Sequence, residues 1–317
     1  MIKVHANDGI SQSGVDALEQ AGYTVSTTKV AQEQLVDFIN EESIEVLLVR
    51  SATKVREALI NACPGLKIIG RGGVGMDNID VDYARSQGLN VINTPAASSA
   101  SVAELVFAHL YGGVRFLHQA NRSMALEGDT NFSTLKKAYA KGRELRGKTL
   151  GVIGFGRIGR ATAQIALGCG MRVIYSDQYV PSATLNLEFY DQQSVSFELK
   201  NSSLDTVLAE SDFITLHVPA QKDYVIGAKE LAKMKSGAGL INAARGGVVD
   251  EVALLASLES RHISFAALDV FENEPKPAIQ VLMNEHCSLS PHIGAATNEA
   301  QDRIGVELAT QIIELTA

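Results

Sequence analysis

Short apolar runs alternate with amphipathic stretches along almost all of the 317 residues, in two separate blocks. In the first block the runs are IKVHAN (2–7), TVSTT (24–28), EVLLVR (45–50), LKIIGR (66–71) and NVIN (90–93). The stretches between them, at 11–21, 31–42, 54–62 and 80–87, have the length of helices. Strands separated by helices are joined by crossovers, so they line up parallel in a sheet covered on both faces. Thr94, held out of the helical region by Pro95, closes the block. A helical stretch follows from Ser98 to Met124, with Ser98 as a plausible N-cap and Glu104 in its first turns. Residues 127–147 are polar and punctuated by glycine, with basic clusters at Lys136-Lys137 and at Lys141, Arg143 and Arg146, and read as a solvated loop. The second block starts at Lys148 and runs to about residue 290. The expected fold class is α/β, with two doubly wound parallel sheets.

Composition enters by exclusion. Hydrophobic residues make up 46% of the chain, enough for a core and too many for a disordered segment. There are 28 Lys and Arg against 36 Asp and Glu, a net charge of −8, the wrong sign for general nucleic-acid binding. No apolar run approaches the roughly 18–20 residues of a membrane span. The N-terminus enters a strand at once, without the apolar core of a signal peptide. Cys63, Cys169 and Cys287 are too scattered for a redox pair or a metal site. No metal is expected, and a reducing cytoplasmic setting fits best.

The second block opens with the strand Thr149–Ile153, the turn Gly154-x-Gly156-x-x-Gly159 and a helix from about Arg157. In such a turn the first glycine allows a tight bend, the second lets backbone approach a pyrophosphate, and the third lets the helix pack on the strand. The helix N-terminus then offers free amides and partial positive charge to the phosphates. The next strand, MRVIYSD, ends in Asp177, placed to accept from the ribose hydroxyls and to repel a 2′-phosphate. No arginine follows it, so NAD is expected rather than NADP.

Three later strand ends carry the groups that hydride transfer at an alcohol carbon needs. GLINAA leads into Arg245, FAALDV through Asp269 into Glu274, and HCSLS into His292. A base removes the hydroxyl proton, an acidic partner fixes the imidazole tautomer, and a cation holds a carboxylate. Singly, each has a bland alternative: a capping histidine, a solvated glutamate, a surface arginine. Together, behind a dinucleotide turn, they point to a dehydrogenase.

INAARGGVVDEVALL, ALDVFENEP and SPHIGAATNEAQ resemble the signatures of the D-2-hydroxyacid dehydrogenase family. VRSATKV (49–55), GRGGVGMDNID (70–80) and NTPAASSASVAEL (93–105) are similar to its phosphoglycerate dehydrogenase branch, although erythronate-4-phosphate dehydrogenases are similar around RSATKV. The resemblance implies a Rossmann NAD-binding domain, residues 97–292, inserted in a flavodoxin-like substrate domain of residues 1–96 and 293–317. It implies His292 as acid/base, Glu274 as the residue that orients it, and Arg245 as the binder of the substrate carboxylate and carbonyl. For the cofactor it implies Arg157 and Ile158 at the pyrophosphate and His217, Val218 and Pro219 on the adenine side. Ala243, Ala244 and Asp269 would line the nicotinamide, with Asp269 accepting from its carboxamide, and Gly294 and Ala295 would complete that wall. Val74 would lie near the cofactor, and the amides of Gly73, Val74 and Gly75 would meet the substrate carboxylate.

The expected substrate is a phosphorylated 2-hydroxyacid, D-3-phosphoglycerate, oxidised to 3-phosphohydroxypyruvate in phosphorylated serine synthesis. Arg50 and Arg71, at neighbouring strand ends, are the candidate phosphate ligands, since a cation ending an apolar strand is costly unless it faces a cleft. Lys137 is a further candidate, reaching in from a partner subunit. The alternatives are reduction of glyoxylate, hydroxypyruvate or another D-2-hydroxyacid and, remotely, an NADH-sensing scaffold. A homodimer through 98–124 is expected; the stripe Leu105, Val106, Leu110, Val114 and Leu117 would serve it or pack within one subunit. Hinges near 94–98 and 290–294 would close the site. With the sequence ending at Ala317, no serine-sensing module is expected.

Overall fold

The computed structural model describes residues 1–316. The first block forms β1 (Lys3–Ala6), α1 (Gln12–Gln20), β2 (Thr24–Ser26), α2 (Leu35–Glu41) and β3 (Val46–Val49). It continues with α3 (Glu57–Ala62), β4 (Ile68–Arg71), α4 (Val81–Ser86) and β5 (Asn90–Asn93). Three helices follow: α5 (Ser99–Val114), α6 (Leu117–Glu127) and α7 (Phe132–Ala138). The second block holds β6 (Thr149–Ile153), α8 (Arg157–Gly168), β7 (Arg172–Ser176), β8 (Ser182–Glu188), β9 (Ser194–Lys200) and α9 (Leu204–Glu210). After these come β10 (Phe213–Leu216), α10 (Ala228–Lys233), β11 (Ala238–Asn242), α11 (Glu251–Glu259) and β12 (Ile263–Leu268). The last elements are α12 (Ile279–Leu282), β13 (Cys287–Leu289) and α13 (Asn298–Thr316).

The chain divides into two compact units, one of residues 1–101 together with the segment from Ala295 onward, the other of residues 102–294. These boundaries lie a few residues beyond 96 and 292. Ala97 stays with the first unit because it is buried beside Ile304 and Leu308 and its carbonyl accepts from Arg303 Nε. Ile293 and Gly294 stay with the second because their amides donate to Asp269.

The first unit is a parallel sheet in the order β2-β1-β3-β4-β5. Residues of β3 alternate between two cores: Val46 and Leu48 face α1 and α13, while Leu47 and Val49 face α2, α3 and α4. Such a strand has no solvated side, which is why EVLLVR is continuously apolar. The second unit is a six-stranded parallel sheet in the order β13-β12-β11-β10-β6-β7. One face packs on α9, α10 and α11, the other on α5 and α8. A Cβ on Gly113 would stand 2.3 Å from the Phe265 ring, so α5 lies against β12 only because that position is bare.

Three local expectations change. The helix 98–124 is two helices, broken at Phe116, whose φ of +57° ends one and starts the other; the adjoining Gly112-Gly113 pair is weak helix. The apolar stripe divides with it. Val106, Leu110 and Val114 are buried in their own unit, while Leu117, on α6, is exposed. The stretch 127–147 contains α7, and its basic residues are not all solvated: Arg143 donates to the carbonyl of Gly237 and to Ser264 and lies over the Phe213 ring. Finally, β8 and β9 form an antiparallel hairpin within a block that otherwise pairs in parallel. Ala183, Leu185 and Leu187 face inward, and the residues between them face water.

The backbones of α1 and α13 touch: a Cβ on Gly14 would lie 2.8 Å from Gly305 Cα. Replacing Gly14 with valine should therefore destabilise the protein by about 1–3 kcal/mol. Gly112, with open space where its Cβ would stand, should instead gain about 0.5–1 kcal/mol on replacement by alanine. Denaturant midpoints of the two variants against the parent check both signs.

Candidate active site

The glycine turn is built by contact. Gly154 has φ +90°, and a Cβ on it would lie 2.5 Å from the His217 carbonyl oxygen. A Cβ on Gly159 would lie 2.2 Å from the Gly154 carbonyl oxygen, so α8 sits directly on the turn. Gly156 is different: its Cβ would meet nothing within 4 Å and would fill the open space above the turn. No side chain caps α8 at Gly156, which leaves the first-turn amides of Arg157, Ile158 and Gly159 to an outside acceptor. The turn also lies where the sheet changes direction, with β7 on one side of β6 and β10 on the other. An open cradle of amides at a switch point fits a dinucleotide pyrophosphate.

Asp177 follows β7 at that edge. Its Oδ2 accepts from the Phe155 amide at 2.6 Å, and its Oδ1 from Tyr179 and Val180 at 2.7 and 3.1 Å. The carboxylate thus ties the glycine turn to the next loop while keeping acceptor capacity for a hydroxyl. His217, Val218 and Pro219 follow β10. The His217 ring is held neutral by burial, its pKa pushed down to about 3. Its Nδ1 has no partner, although the residue as a whole is not fully enclosed.

The loops after β11, β12 and β13 bring Arg245, Glu274 and His292 to the same edge. Asn242, at the end of β11, donates to the Arg245 carbonyl and accepts from the Ala244 amide, which bends the chain through Ala243 and Ala244. A Cβ on Gly246 would lie 1.8 Å from the Phe271 carbonyl oxygen; the Arg245 loop therefore rests on the loop that carries Glu274. That second loop is fastened reciprocally, Glu251 accepting from the Glu272 amide and Glu272 from the Glu251 amide. Burial raises the Glu251 carboxyl pKa.

Glu274 Oε1 accepts from the Phe271 amide at 3.0 Å, and its Oε2 lies 2.8 Å from His292 Nδ1. A carboxylate only accepts, so Nδ1 carries the hydrogen and Nε2 is left to exchange a proton. Phe271, Pro275, Leu282, Leu289 and Pro291 form apolar walls beside this pair, around a cavity of about 380 Å³. His292 sits at φ +54°, a conformation that its surroundings must impose. Asp269 supplies part of that support: Oδ1 accepts from Ser290 Oγ and the Ile293 amide, Oδ2 from the Gly294 amide.

The remaining predicted residues lie in the first unit. Arg50 follows β3 directly and Arg71 ends the adjacent β4, with Val49 opposite Arg71. Asp8 gathers the Arg50 loop, accepting from the amides of Arg50 and Thr53 and the Thr53 hydroxyl, while Asn78 donates to the carbonyls of Arg50 and Thr53. Burial alone would raise the Asp8 carboxyl pKa, but Lys29 and these amides hold it below the usual range. Gly73 has φ +142°, and a Cβ there would collide with the Arg71 guanidinium. Val74 and Gly75 continue this loop, pinned by Asn93 Nδ2 to the Val74 carbonyl at 2.8 Å. Ala295 opens the returning segment. The residues not anticipated from the sequence are Asn242, Glu251, Glu272, Asp8 and Asn78, which act on main-chain amides and carbonyls, and Ser290, which donates to Asp269. Among the described residues no cluster of His, Cys, Asp and Glu could hold a metal ion, and no helix is long and apolar enough to cross a membrane.

Because the space over Gly156 is empty, Gly156→Val should fold with a near-parental thermal midpoint but bind NADH at least tenfold more weakly. Equilibrium titration followed by NADH fluorescence checks this. Unchanged affinity would remove the turn from the cofactor site.

Residues 107–294 match the NAD-binding domain of the D-isomer specific 2-hydroxyacid dehydrogenases. The chain is 41% identical to the hydroxypyruvate reductase of Thermotoga maritima, over 98% of this chain and 97% of that protein. It is 40% identical to the D-3-phosphoglycerate dehydrogenase of Methanocaldococcus jannaschii over 98% of its own length, but spans only 57% of that relative. Among solved structures it resembles the D-lactate dehydrogenase of Aquifex aeolicus complexed with NAD and lactic acid, with a TM-score of 0.76 and 30% identity over 99% of this chain and 95% of that one. This chain belongs to the D-isomer specific 2-hydroxyacid dehydrogenase family.

Proposed function

We propose that the chain oxidises D-3-phosphoglycerate to 3-phosphohydroxypyruvate with NAD, the entry step of phosphorylated serine synthesis in a reducing cytoplasm. The Glu274–His292 pair carries the chemistry of this reading. His292 Nε2 takes the C2 hydroxyl proton, and Glu274 stabilises the imidazolium that results. Arg245 neutralises the substrate carboxylate and polarises the C2 oxygen. Bound NAD would supply the hydride acceptor for C2. Asp269, Ala243, Ala244, Gly294 and Ala295 are assigned to the nicotinamide end, and Gly73, Val74 and Gly75 to the substrate carboxylate. Val74 is also assigned to the cofactor in this reading.

The phosphate assignment rests on Arg50 and Arg71. Arg50 has its backbone fixed on both sides by Asp8 and Asn78, so an anion there meets a loop already held in place. A charge-assisted contact of this kind contributes about 1.5–3 kcal/mol. Arg50→Ala should therefore raise KM for D-3-phosphoglycerate roughly 10- to 100-fold while altering that for D-glycerate or hydroxypyruvate less than threefold. Initial rates on these acids, D-lactate and 4-phosphoerythronate decide the matter. The second reading, reduction of hydroxypyruvate, is supported by similarity to the Thermotoga enzyme. Equal or better rates on unphosphorylated acids would favour it. No turnover with NADH still bound would favour a sensing scaffold.

The same reading includes a homodimer. Helix α6 buries none of its residues, and Leu117, Met124, Leu126 and, on α7, Phe132 are all exposed. A helix with apolar residues and no core of its own is suited to a second copy. Light scattering at micromolar concentration should give the mass of two chains and, for Leu126→Glu, of one. A single-chain parent would overturn it.

A further inference from the structure

A buried imidazole lies beneath the active-site turn and belongs to none of the roles assigned above. His109, on α5, is 8% exposed. Its Nδ1 is 2.8 Å from Ser288 Oγ and its Nε2 2.8 Å from Ser290 Oγ. Ser290 Oγ is 2.6 Å from Asp269 Oδ1, the carboxylate that also holds the amides of Ile293 and Gly294 at 2.8 Å each.

Valence fixes the direction of every bond in this chain. The Asp269 carboxylate accepts only, so the single hydroxyl hydrogen of Ser290 points to it. The Ser290 oxygen then presents a lone pair to His109, so Nε2 carries the ring hydrogen. The neutral ring accepts at Nδ1, and Ser288 donates there. Burial lowers the His109 pKa, against the opposing pull of Asp269 and with a further push from His118, which keeps the ring in the neutral form this pattern requires. Hydrogen bonds running head to tail strengthen one another, and this run ends on the carboxylate that fastens the two amides following His292. The left-handed backbone at His292 persists only while its neighbours enforce it.

We propose that His109 is a positioning residue for proton transfer: by donating to Ser290 it keeps that hydroxyl on Asp269, and through Asp269 it holds the turn that presents the His292 ring. The proposal rests on the reading of His292 as the acid/base. It gives a role to a histidine whose ring bonds to Ser288 and Ser290. It also predicts that Ser290 and His109 act as one unit, since removing either one leaves Asp269 without its oriented hydroxyl.

The test uses the full chain and the variants His109→Leu, His109→Gln and Ser290→Ala, with the double variant H109L/S290A. Leucine removes the donor and keeps the bulk, while glutamine can still donate to Ser290. His109→Leu should lower kcat about tenfold with less than twofold change in KM for either substrate, and His109→Gln should recover most of that loss. The double variant should be no slower than the worse single variant, as expected of coupled residues. A second readout needs no turnover: ring-nitrogen NMR of His292 should show one Nδ1–H tautomer in the parent and a mixture in His109→Leu.

A lower thermal midpoint with unchanged kcat and an unchanged His292 spectrum would make His109 a core residue only and overturn the proposal. Multiplicative losses in the double variant would also overturn it. Should His109→Leu fail to fold, His109→Gln and Ser290→Ala carry the same comparison. A parent without activity on any 2-hydroxyacid would sink the acid/base reading, while the His292 spectrum would still test the positioning.

Discussion

A parallel sheet sends every strand the same way, so each strand must release its chain at one edge and recover it at the other. In the six-stranded sheet this collects the turns after β6, β7, β10, β11, β12 and β13 along a single rim. Gly154, Asp177, His217, Arg245, Glu274 and His292 follow six different strands, yet that geometry places all of them on the same edge. Once the sheet is fixed, the remaining problem is to hold flexible loops in one shape.

That holding is done largely by carboxylates and amides acting on main chain. Asp8 accepts from the amides of Arg50 and Thr53, Asp177 from those of Phe155, Tyr179 and Val180, and Asp269 from those of Ile293 and Gly294. Glu251 and Glu272 exchange amides with one another. A buried carboxylate is expensive unless its oxygens are occupied, and loop amides are orphans unless something accepts from them. Each group satisfies the other, so an irregular loop is tied at defined amides although it has no ladder of its own. Glycines complete the arrangement where loops must touch, as Gly246 does against Phe271.

Periodicity made the fold legible. Continuous apolar strands separated by helix-length stretches leave few alternatives, and the spacing around Gly154 marked where the nucleotide fold begins. That Arg245, Glu274 and His292 meet at one edge was legible because strand ends in such a fold have a known destination. The hairpin β8–β9 was overlooked although ATLNLE and SVSFELK alternate with period two, because the parallel blocks on either side set the expectation. The break at Phe116 has no strong sequence signal: an aromatic residue in the left-handed region is imposed by what surrounds it. Asn242, Ser290 and Glu272 were missed for a different reason. Asn242 bonds only to the loop beside it, at Ala244 and Arg245, while Glu272 and Ser290 reach an amide and a carboxylate 21 residues away, and neither kind of contact leaves a spacing by which to find it.

Read as the acceptor of the ribose hydroxyls, Asp177 would do two jobs with one carboxylate, and this would constrain how the protein could change its cofactor. A variant that removed the negative charge to admit a 2′-phosphate would at once release the Phe155 amide and the two amides of the following loop. The turn would loosen as the repulsion vanished. A lineage drifting toward NADP from this starting point would need a compensating acceptor for those amides before, or together with, the loss of Asp177. On that reading cofactor choice would be a property of the whole turn, and single-residue swaps at this position would trade selectivity against the shape of the phosphate cradle.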